Sequence, residues 1–166
     1  MNIDDCKEYI DDIEKAYGKV HMVLFDYLEI FNVSGKFSHD DQGERKRREI
    51  IAKRITNTAT HFKLLSITAT QANDIKPDKW NNPDFVLTRS DISEFKGALK
   101  PFSYFITLNQ TRDEYDAGII RIHNDKFRKY KSGQTYRNYQ SLGNSRFYDS
   151  RRTLQYFWDE KLNKPK

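Results

Sequence analysis

The segment VLFDYLEI, residues 23–30, gives the strongest indication of the architecture. Residues 21–30 are dominated by apolar side chains on both faces, as strands of a covered parallel sheet are. Asp26 is expected at the carboxyl end of this buried strand. The preceding residues place apolar side chains at helical spacing up to Gly18, which predicts a helix that leads into the strand.

A second strand is predicted in LLSITATQAN, residues 64–73, and it ends in Gln71. Between the two strands lies a polar segment, residues 32–43, which is predicted to be a loop. A charged helix follows the loop, and its apolar stripe has a spacing of three to four residues. The stripe consists of Ile51, Ile55, Ala59 and Phe62. Buried strands joined by a helix predict an α/β fold.

A third segment, KFRKYKSG, residues 126–133, is predicted to be a basic turn. Three further strands are expected towards the C-terminus, at residues 104–108, 118–122 and 135–142. The first two of them are joined by an acidic turn. The sequence therefore predicts an α/β fold with a mostly parallel sheet flanked by helices, and with antiparallel strands towards the C-terminus.

The composition fits one folded domain. A chain of 166 residues with 14% aromatic residues is too aromatic to be disordered. We expect one domain over residues 1–150 and a basic aromatic tail over residues 151–166. The single cysteine, Cys6, excludes an intramolecular disulfide and fits a reducing compartment. No run approaches the roughly 18 apolar residues of a membrane span, so we expect a cytoplasmic protein without a membrane partner.

The net charge of +5 permits a polyanionic partner. Positive charge gathers in RKRR, residues 45–48, in residues 121–131 and in the tail. Each cluster alone is more typical of a solvated surface, whereas three clusters beside loops favour nucleic acid.

Four side chains are candidates for nucleotide chemistry. A strand-end carboxylate such as Asp26 suits Mg²⁺ beside phosphates, although aspartates there also cap loops. Gln71 is placed to sense a phosphate by hydrogen bonding or, more commonly, to satisfy a backbone group. Lys126 and Arg128 alternate along the chain and point the same way. Such a pair reaches a γ-phosphate across a subunit boundary or is simply solvated.

Taken together, these segments resemble the hexameric replicative DNA helicases of the DnaB type over most of the chain. Residues 12–31 are similar to the family's helix and Walker B strand, and residues 44–73 to its next helix and sensor strand. SDI, residues 90–92, and GAL, residues 97–99, resemble the family's Ser-Asp-Leu and Gly-Ala-Ile segment. KFRKYKSG resembles its Lys-x-Arg arginine-finger turn, which ends in glycine.

The resemblance implies a partial RecA-like fold and a role for each matching residue. Asp26 would be the Walker B carboxylate that holds Mg²⁺, and Gln71 would be the γ-phosphate sensor. Arg128 would be the arginine finger offered to a neighbouring subunit, with Lys126 as its partner. The complete motor would use Mg²⁺ and ATP. Its protein partners would be neighbouring copies or an upstream segment that carries a Walker A loop.

The resemblance also implies a path for single-stranded DNA. The polar loop 32–43 and the loop before Ser90 would be the family's two channel loops. The candidate DNA contacts in and beside them are Lys36, Arg89, Ser93, Lys96 and Gly97.

The chain departs from the family where the phosphates are held. It contains no G-x-x-x-x-G-K-[ST] pattern, since SGK, residues 34–36, is too short and follows the Asp26 strand instead of preceding it. The family's water-activating glutamate would lie before residue 1. We therefore expect neither ATP nor Mg²⁺ to bind this chain alone, and we expect it to be inactive as an ATPase by itself.

The leading hypothesis is the C-terminal part of a helicase motor, which is part of an enzyme. A non-catalytic module for single-stranded nucleic acid is the first alternative, because aromatic residues near basic ones stack bases. These aromatic residues are Trp80, Phe127, Tyr130, Tyr136 and Tyr139. A fragment of a RecA-type recombinase core is the second alternative, since it shares the sheet, the glutamine and the two loops. The spacing of Lys126 and Arg128 favours the helicase.

Overall fold

The computed structural model describes residues 1–38, 40–72, 75–91, 96–141, 143 and 145–149. The helices are α1 (Cys6–Tyr17), α2 (Asp41–Phe62), α3 (Pro77–Trp80), α4 (Lys96–Leu99) and α5 (Arg112–Asp116). The strands are β1 (Met22–Phe25), β2 (Leu65–Thr68), β3 (Tyr104–Asn109), β4 (Ile119–Phe127), β5 (Gln134–Ser141) and β6 (Arg146–Tyr148). Among these described residues, no helix is long and apolar enough to cross a membrane.

Backbone contacts divide the described residues into two compact units. Unit 1 comprises those of Met1–Asn73 and Ile92–Ser103, and unit 2 comprises those of Asp74–Asp91 and of 104 onwards. The tail expected from residue 151 lies outside the described residues. The expected domain limits therefore stay a prediction.

Unit 1 is built on two parallel strands joined by a long helix. β1 and β2 pair from Met22 with Leu65 to Phe25 with Thr68. α2 connects them, and its side chains pack with apolar residues of β1 and of the segment after it. The centre of this core consists of Phe25, Leu28, Phe31, Ile51, Ala52 and Ile55. The predicted helix with an apolar stripe between two parallel strands is confirmed.

Both strands of unit 1 are shorter than predicted, and one face of their sheet is exposed. β1 ends at Phe25, because a 3-10 helix forms at Leu28–Ile30. β2 ends at Thr68, so Gln71 lies beyond the strand instead of ending it. The expected burial of residues 21–30 on both faces is therefore wrong, since Leu24 is 62% exposed, whereas Asp26 does follow the carboxyl end of β1 as expected.

α2 begins within the segment predicted to be a loop, residues 32–43. The side chain of Asp40 accepts a hydrogen bond from the backbone N–H of Gly43 at 2.8 Å, which caps the helix. Glycine is required at position 43, because a Cβ there would lie 1.9 Å from the carbonyl oxygen of Ser38. The loop therefore ends at Asp40.

Unit 2 contains a four-stranded antiparallel sheet in the order β3-β4-β5-β6. Antiparallel strands towards the C-terminus are thus confirmed. β4 continues to Phe127, so Lys126 lies on the strand and the basic turn begins only at Arg128. The longer β4 pairs with β3 on one side and with β5 on the other.

One face of the unit 2 sheet is buried although it is polar. The hydroxyl of Thr107 donates to the carbonyl of Leu87 at 2.7 Å, and the Leu87 N–H donates to Oδ1 of Asn109 at 2.6 Å. Nε of Arg121 donates to the carboxylate of Glu114 at 3.1 Å. These bonds replace the water that burial removes. The opposite face exposes apolar side chains, namely Tyr104, Ile106, Leu108 and Tyr136.

Candidate functional site

The carboxyl ends of β1 and β2 meet at one edge of the parallel sheet. Asp26 follows β1 directly and is exposed. The hydroxyl of Thr68 donates to the carbonyl of Phe25 at 2.8 Å. The N–H of Leu28 donates to the carbonyl of Ala69 at 3.1 Å. These two hydrogen bonds fix the segments that follow the strands beside each other.

A further contact joins the same two segments, and sequence reasoning missed it. The hydroxyl of Thr70 donates to Oε1 of Glu29. Oε2 of Glu29 is buried and has no hydrogen-bond partner within the described part of the chain. Gln71 follows Thr70 directly and is exposed. Glu29 is the second carboxylate in the otherwise apolar stretch 21–30, and this was the signal that could have revealed it. The structure thus brings Asp26 and Gln71 to one edge.

The donor set at this edge fits a magnesium ion shared with phosphates. Proteins usually hold Mg²⁺ through one or two carboxylates, and water and substrate phosphates complete its ligands. Asp26 offers one exposed carboxylate and is joined to Tyr27 by a cis peptide bond. Within the described ranges, no three histidine, cysteine, aspartate or glutamate side chains form a group that could hold a metal by itself.

Three predicted site residues lie together at one end of the unit 2 sheet. Lys126 is half-buried near the end of β4, and Arg128 is exposed in the bend that follows. Burial lowers the pKa of Lys126, and the positive charges of Arg128 and Arg89 lower it further. Asp125 holds Arg89 in place, because its carboxylate accepts from Nε of Arg89 at 2.5 Å and from the Arg89 N–H at 3.0 Å. The result is a basic cluster that Asp125 partly neutralises.

The turn after Arg128 has a fixed conformation. The N–H of Gly133 donates to the carbonyl of Asn124 at 2.7 Å, and the N–H of Phe127 donates to the hydroxyl of Ser132 at 2.9 Å. Gly133 has a φ of 83°, which favours glycine. Glycine therefore ends this turn for a structural reason.

The other predicted DNA contacts have different surroundings. Lys36 is exposed on the loop of unit 1. Gly97 lies in α4 against α2, and a Cβ there would lie 2.3 Å from Oε1 of Glu49, so a larger residue would displace the Glu49 side chain. Ser93 and the side chain of Lys96 lie outside the described residues.

Part of the positive charge of α2 is used inside unit 1. Nη1 of Arg47 donates to the carbonyl of Phe31 at 2.6 Å, and Arg47 also pairs with Glu44 at 2.9 Å. Arg54 pairs with Asp4 at 3.0 Å. These arginines hold the segment after β1 and the N-terminal residues against the helix, so not all of this charge serves a polyanion.

Two solved structures are similar to this chain in fold. No protein-family model matches the sequence, and no curated protein matches it. The chain is similar to a solved structure described as "The Structure Of A DnaB-Like Replicative Helicase And Its Interactions With Primase". The TM-score is 0.71 at 16% identity, over 89% of this chain and 36% of that chain. It is also similar to a solved ATPase domain, called the matched ATPase domain below. The TM-score is 0.72 at 15% identity, over 90% of this chain and 52% of that chain.

The chain thus spans between about a third and about half of the solved chains that it matches. At 15–16% sequence identity, this similarity shows a shared fold and does not by itself show a shared function. The resemblance indicated by the sequence is confirmed at that level, since the chain shares its fold with part of a solved DnaB-like replicative helicase and with part of a solved ATPase domain.

Proposed function

We propose that this chain is the C-terminal part of the RecA-like motor of a replicative DNA helicase, which uses ATP to unwind duplex DNA. The observation that carries the proposal is the position of Asp26 and Gln71 at the carboxyl edge of two paired parallel strands. Ligands of open α/β sheets bind at this edge. The fold shared with helicase ATPase domains supports a nucleotide as the ligand.

Asp26 and Gln71 have different parts in this proposal. The exposed carboxylate of Asp26 holds Mg²⁺, which supplies positive charge to the phosphates of ATP. The side-chain amide of Gln71 donates a hydrogen bond to the γ-phosphate. Because Thr70 contacts Glu29, a movement of Gln71 is passed to the segment that follows Asp26.

Arg128 acts on the nucleotide of a neighbouring subunit. Its planar guanidinium neutralises phosphate oxygens and hydrogen-bonds to them at the same time. Lys126 adds a second positive charge beside it. The protein partners are neighbouring copies or a segment with a Walker A loop, and ATP binds only in the complete motor.

Single-stranded DNA is the proposed nucleic-acid partner. Lys36 lies on the exposed loop of unit 1, and Arg89 lies in the basic cluster of unit 2. Ser93, Lys96 and Gly97 follow the second channel loop in the sequence and are further DNA contacts in this proposal. The motor would work in the cytoplasm.

Rebuilding the motor from two polypeptides tests the proposal. Mixing this chain with the part of the matched ATPase domain that it does not cover should give magnesium-dependent ATP hydrolysis. Asp26→Asn should lower the turnover about a hundredfold or more, because the loss of the carboxylate charge weakens the binding of the Mg²⁺ that stabilises charge on the phosphates. Asp11→Asn, on the exposed face of α1, is the matched control. Equal turnover with Asp26→Asn and with the unaltered chain would exclude the role of Asp26.

A non-catalytic module for single-stranded nucleic acid is the second candidate function. Tyr130 is 70% exposed and lies between Lys129 and Lys131, an arrangement that suits base stacking beside phosphate contacts. A rebuilt pair that binds single-stranded DNA without hydrolysing ATP would favour this candidate.

A further inference from the structure

The parallel sheet of unit 1 has a bare apolar face. Met22 and Leu24 lie on it, and the β2 residues paired with them are Leu65 and Ile67. These four side chains, called the bare face below, are between 45% and 62% exposed. They differ from the scattered apolar residues of an ordinary surface, because they adjoin one another on two hydrogen-bonded strands.

The opposite face of the same sheet shows what a covered face looks like. Phe25 is 3% exposed there and packs with Ile51 and Ile55 of α2. On β2, the residues of this covered face are the polar Ser66 and Thr68, whereas the larger apolar residues point outwards. In a sheet that is covered on a single face, the apolar residues lie on the covered face and the polar residues face the solvent. The sequence of β2 is therefore suited to a second covering layer.

We propose that the bare face is the docking site for an amphipathic helix from the part of the ATPase fold that this chain does not cover. The inference rests on the proposed function. The chain corresponds to 52% of the matched ATPase domain, so close to half of such a domain lies outside it. The covering layer of a parallel sheet consists of helices. The bare face has no charged side chain, which suits the apolar stripe of a helix.

A binding experiment tests the docking site without nucleotide. The probe is the part of the matched ATPase domain that this chain does not cover, and the readout is the dissociation constant from sedimentation. Leu24→Glu and Ile67→Glu place charge on cross-strand partners of the bare face. Each should weaken binding about tenfold or more, since a carboxylate would be buried against apolar side chains. Tyr17→Glu, at a residue 87% exposed on α1, is the control and should bind like the unaltered chain.

Hydrogen exchange supplies an independent readout, because docking should protect the amides of β1 and β2. Absence of a complex, or binding that Leu24→Glu and Ile67→Glu leave unchanged, overturns the inference. A dimer of this chain that Leu24→Glu disperses also overturns it, because a second copy then covers the bare face. A complex that hydrolyses no ATP leaves the docking site standing while the proposed function fails. If the rebuilt pair hydrolyses ATP and neither glutamate variant lowers the turnover, the proposed function stands and the docking site fails.

Discussion

Thr70 donates a hydrogen bond to the carboxylate of Glu29, and this contact joins the segment after β2 to the segment after β1. Thr70 directly precedes Gln71, and Glu29 belongs to the short segment that begins with Asp26. Each member of this pair therefore lies within three residues of a candidate nucleotide ligand.

Thr70→Val should destabilise the protein. Valine keeps the shape of threonine but removes the donor, which leaves a half-buried carboxylate without its partner. We expect the free energy of unfolding to fall by about 1–3 kcal/mol. Urea denaturation followed by circular dichroism measures it. The control is Thr60→Val, because the exposed Thr60 hydroxyl donates only to the carbonyl of Thr56 in the same helix. Equal stability of the two variants would show that the contact with Glu29 contributes nothing.

The isolated chain should not turn over ATP. The sequence contains no glycine-lysine loop to hold the β- and γ-phosphates. Phosphate release is measured at saturating ATP and magnesium. Turnover that Asp26→Asn abolishes would contradict this prediction.

Binding of single-stranded DNA should be weak and should fall steeply with salt, because phosphate contacts release counterions. Fluorescence anisotropy over a salt series gives the slope of log K against log salt. Lys36→Ala should reduce the magnitude of that slope by about 1, which corresponds to the loss of one phosphate contact. Lys15→Ala is the control, since Lys15 already pairs with Asp12 on α1. A binding constant that does not change with salt would speak against the loop assignment.

Arg128→Ala should remove the stimulation that this chain gives to a partner with a phosphate loop. In comparable systems an arginine finger contributes about a thousandfold or more to turnover. Arg128→Lys should not restore it, because an ammonium lacks the planar fork. The fold should persist, since the residue is exposed beyond the strand end. ATP hydrolysis by the rebuilt pair is the measurement, with the exposed Lys129→Ala as the control for positive charge. If the Arg128 variants work as well as the unaltered chain, the finger is elsewhere.

Arg128→Ala should also raise the pKa of Lys126, and this test needs no partner. The arginine charge disfavours a second positive charge nearby, so its removal makes protonation of Lys126 easier. Burial, the larger cause, remains and keeps the pKa of Lys126 below its usual value. Titration of the lysine Cε resonance by nuclear magnetic resonance follows the change. Lys129→Ala should leave the pKa of Lys126 unchanged. If Arg128→Ala also leaves the pKa of Lys126 unchanged, the side chains of Arg128 and Lys126 lie apart.

The elements that could be predicted are those whose signals are local. α1 ends where Gly18 permits a φ of 88°, and α2 follows the apolar spacing from Ile51 to Phe62. The exposure of Leu24 and Ile67 could not be predicted, because apolar residues on both faces of a strand favour a covering layer on each face, and the described residues cover one face only. An apolar strand indicates that such a layer is needed but not which polypeptide supplies it.

The site could be predicted only in part for a related reason. The ends of two parallel strands placed Asp26 and Gln71 at one edge, as the pattern indicated. The contacts of Glu29 with Thr70 and of Arg89 with Asp125 join residues that are 41 and 36 positions apart. No spacing rule connects residues so distant in sequence, so only the folded chain reveals them.

The polar buried face of the unit 2 sheet affects how that unit responds to temperature. Exposing apolar surface on unfolding raises the heat capacity, whereas exposing polar surface lowers it. Unit 2 buries Thr107, Asn109 and Arg121 where most sheets bury hydrocarbon. Its heat-capacity increment per residue should fall below the usual ~12–15 cal/mol/K. The stability curve of unit 2 should therefore be flatter than that of unit 1, whose isoleucine-rich core gives the steeper curvature and the greater loss of stability in the cold.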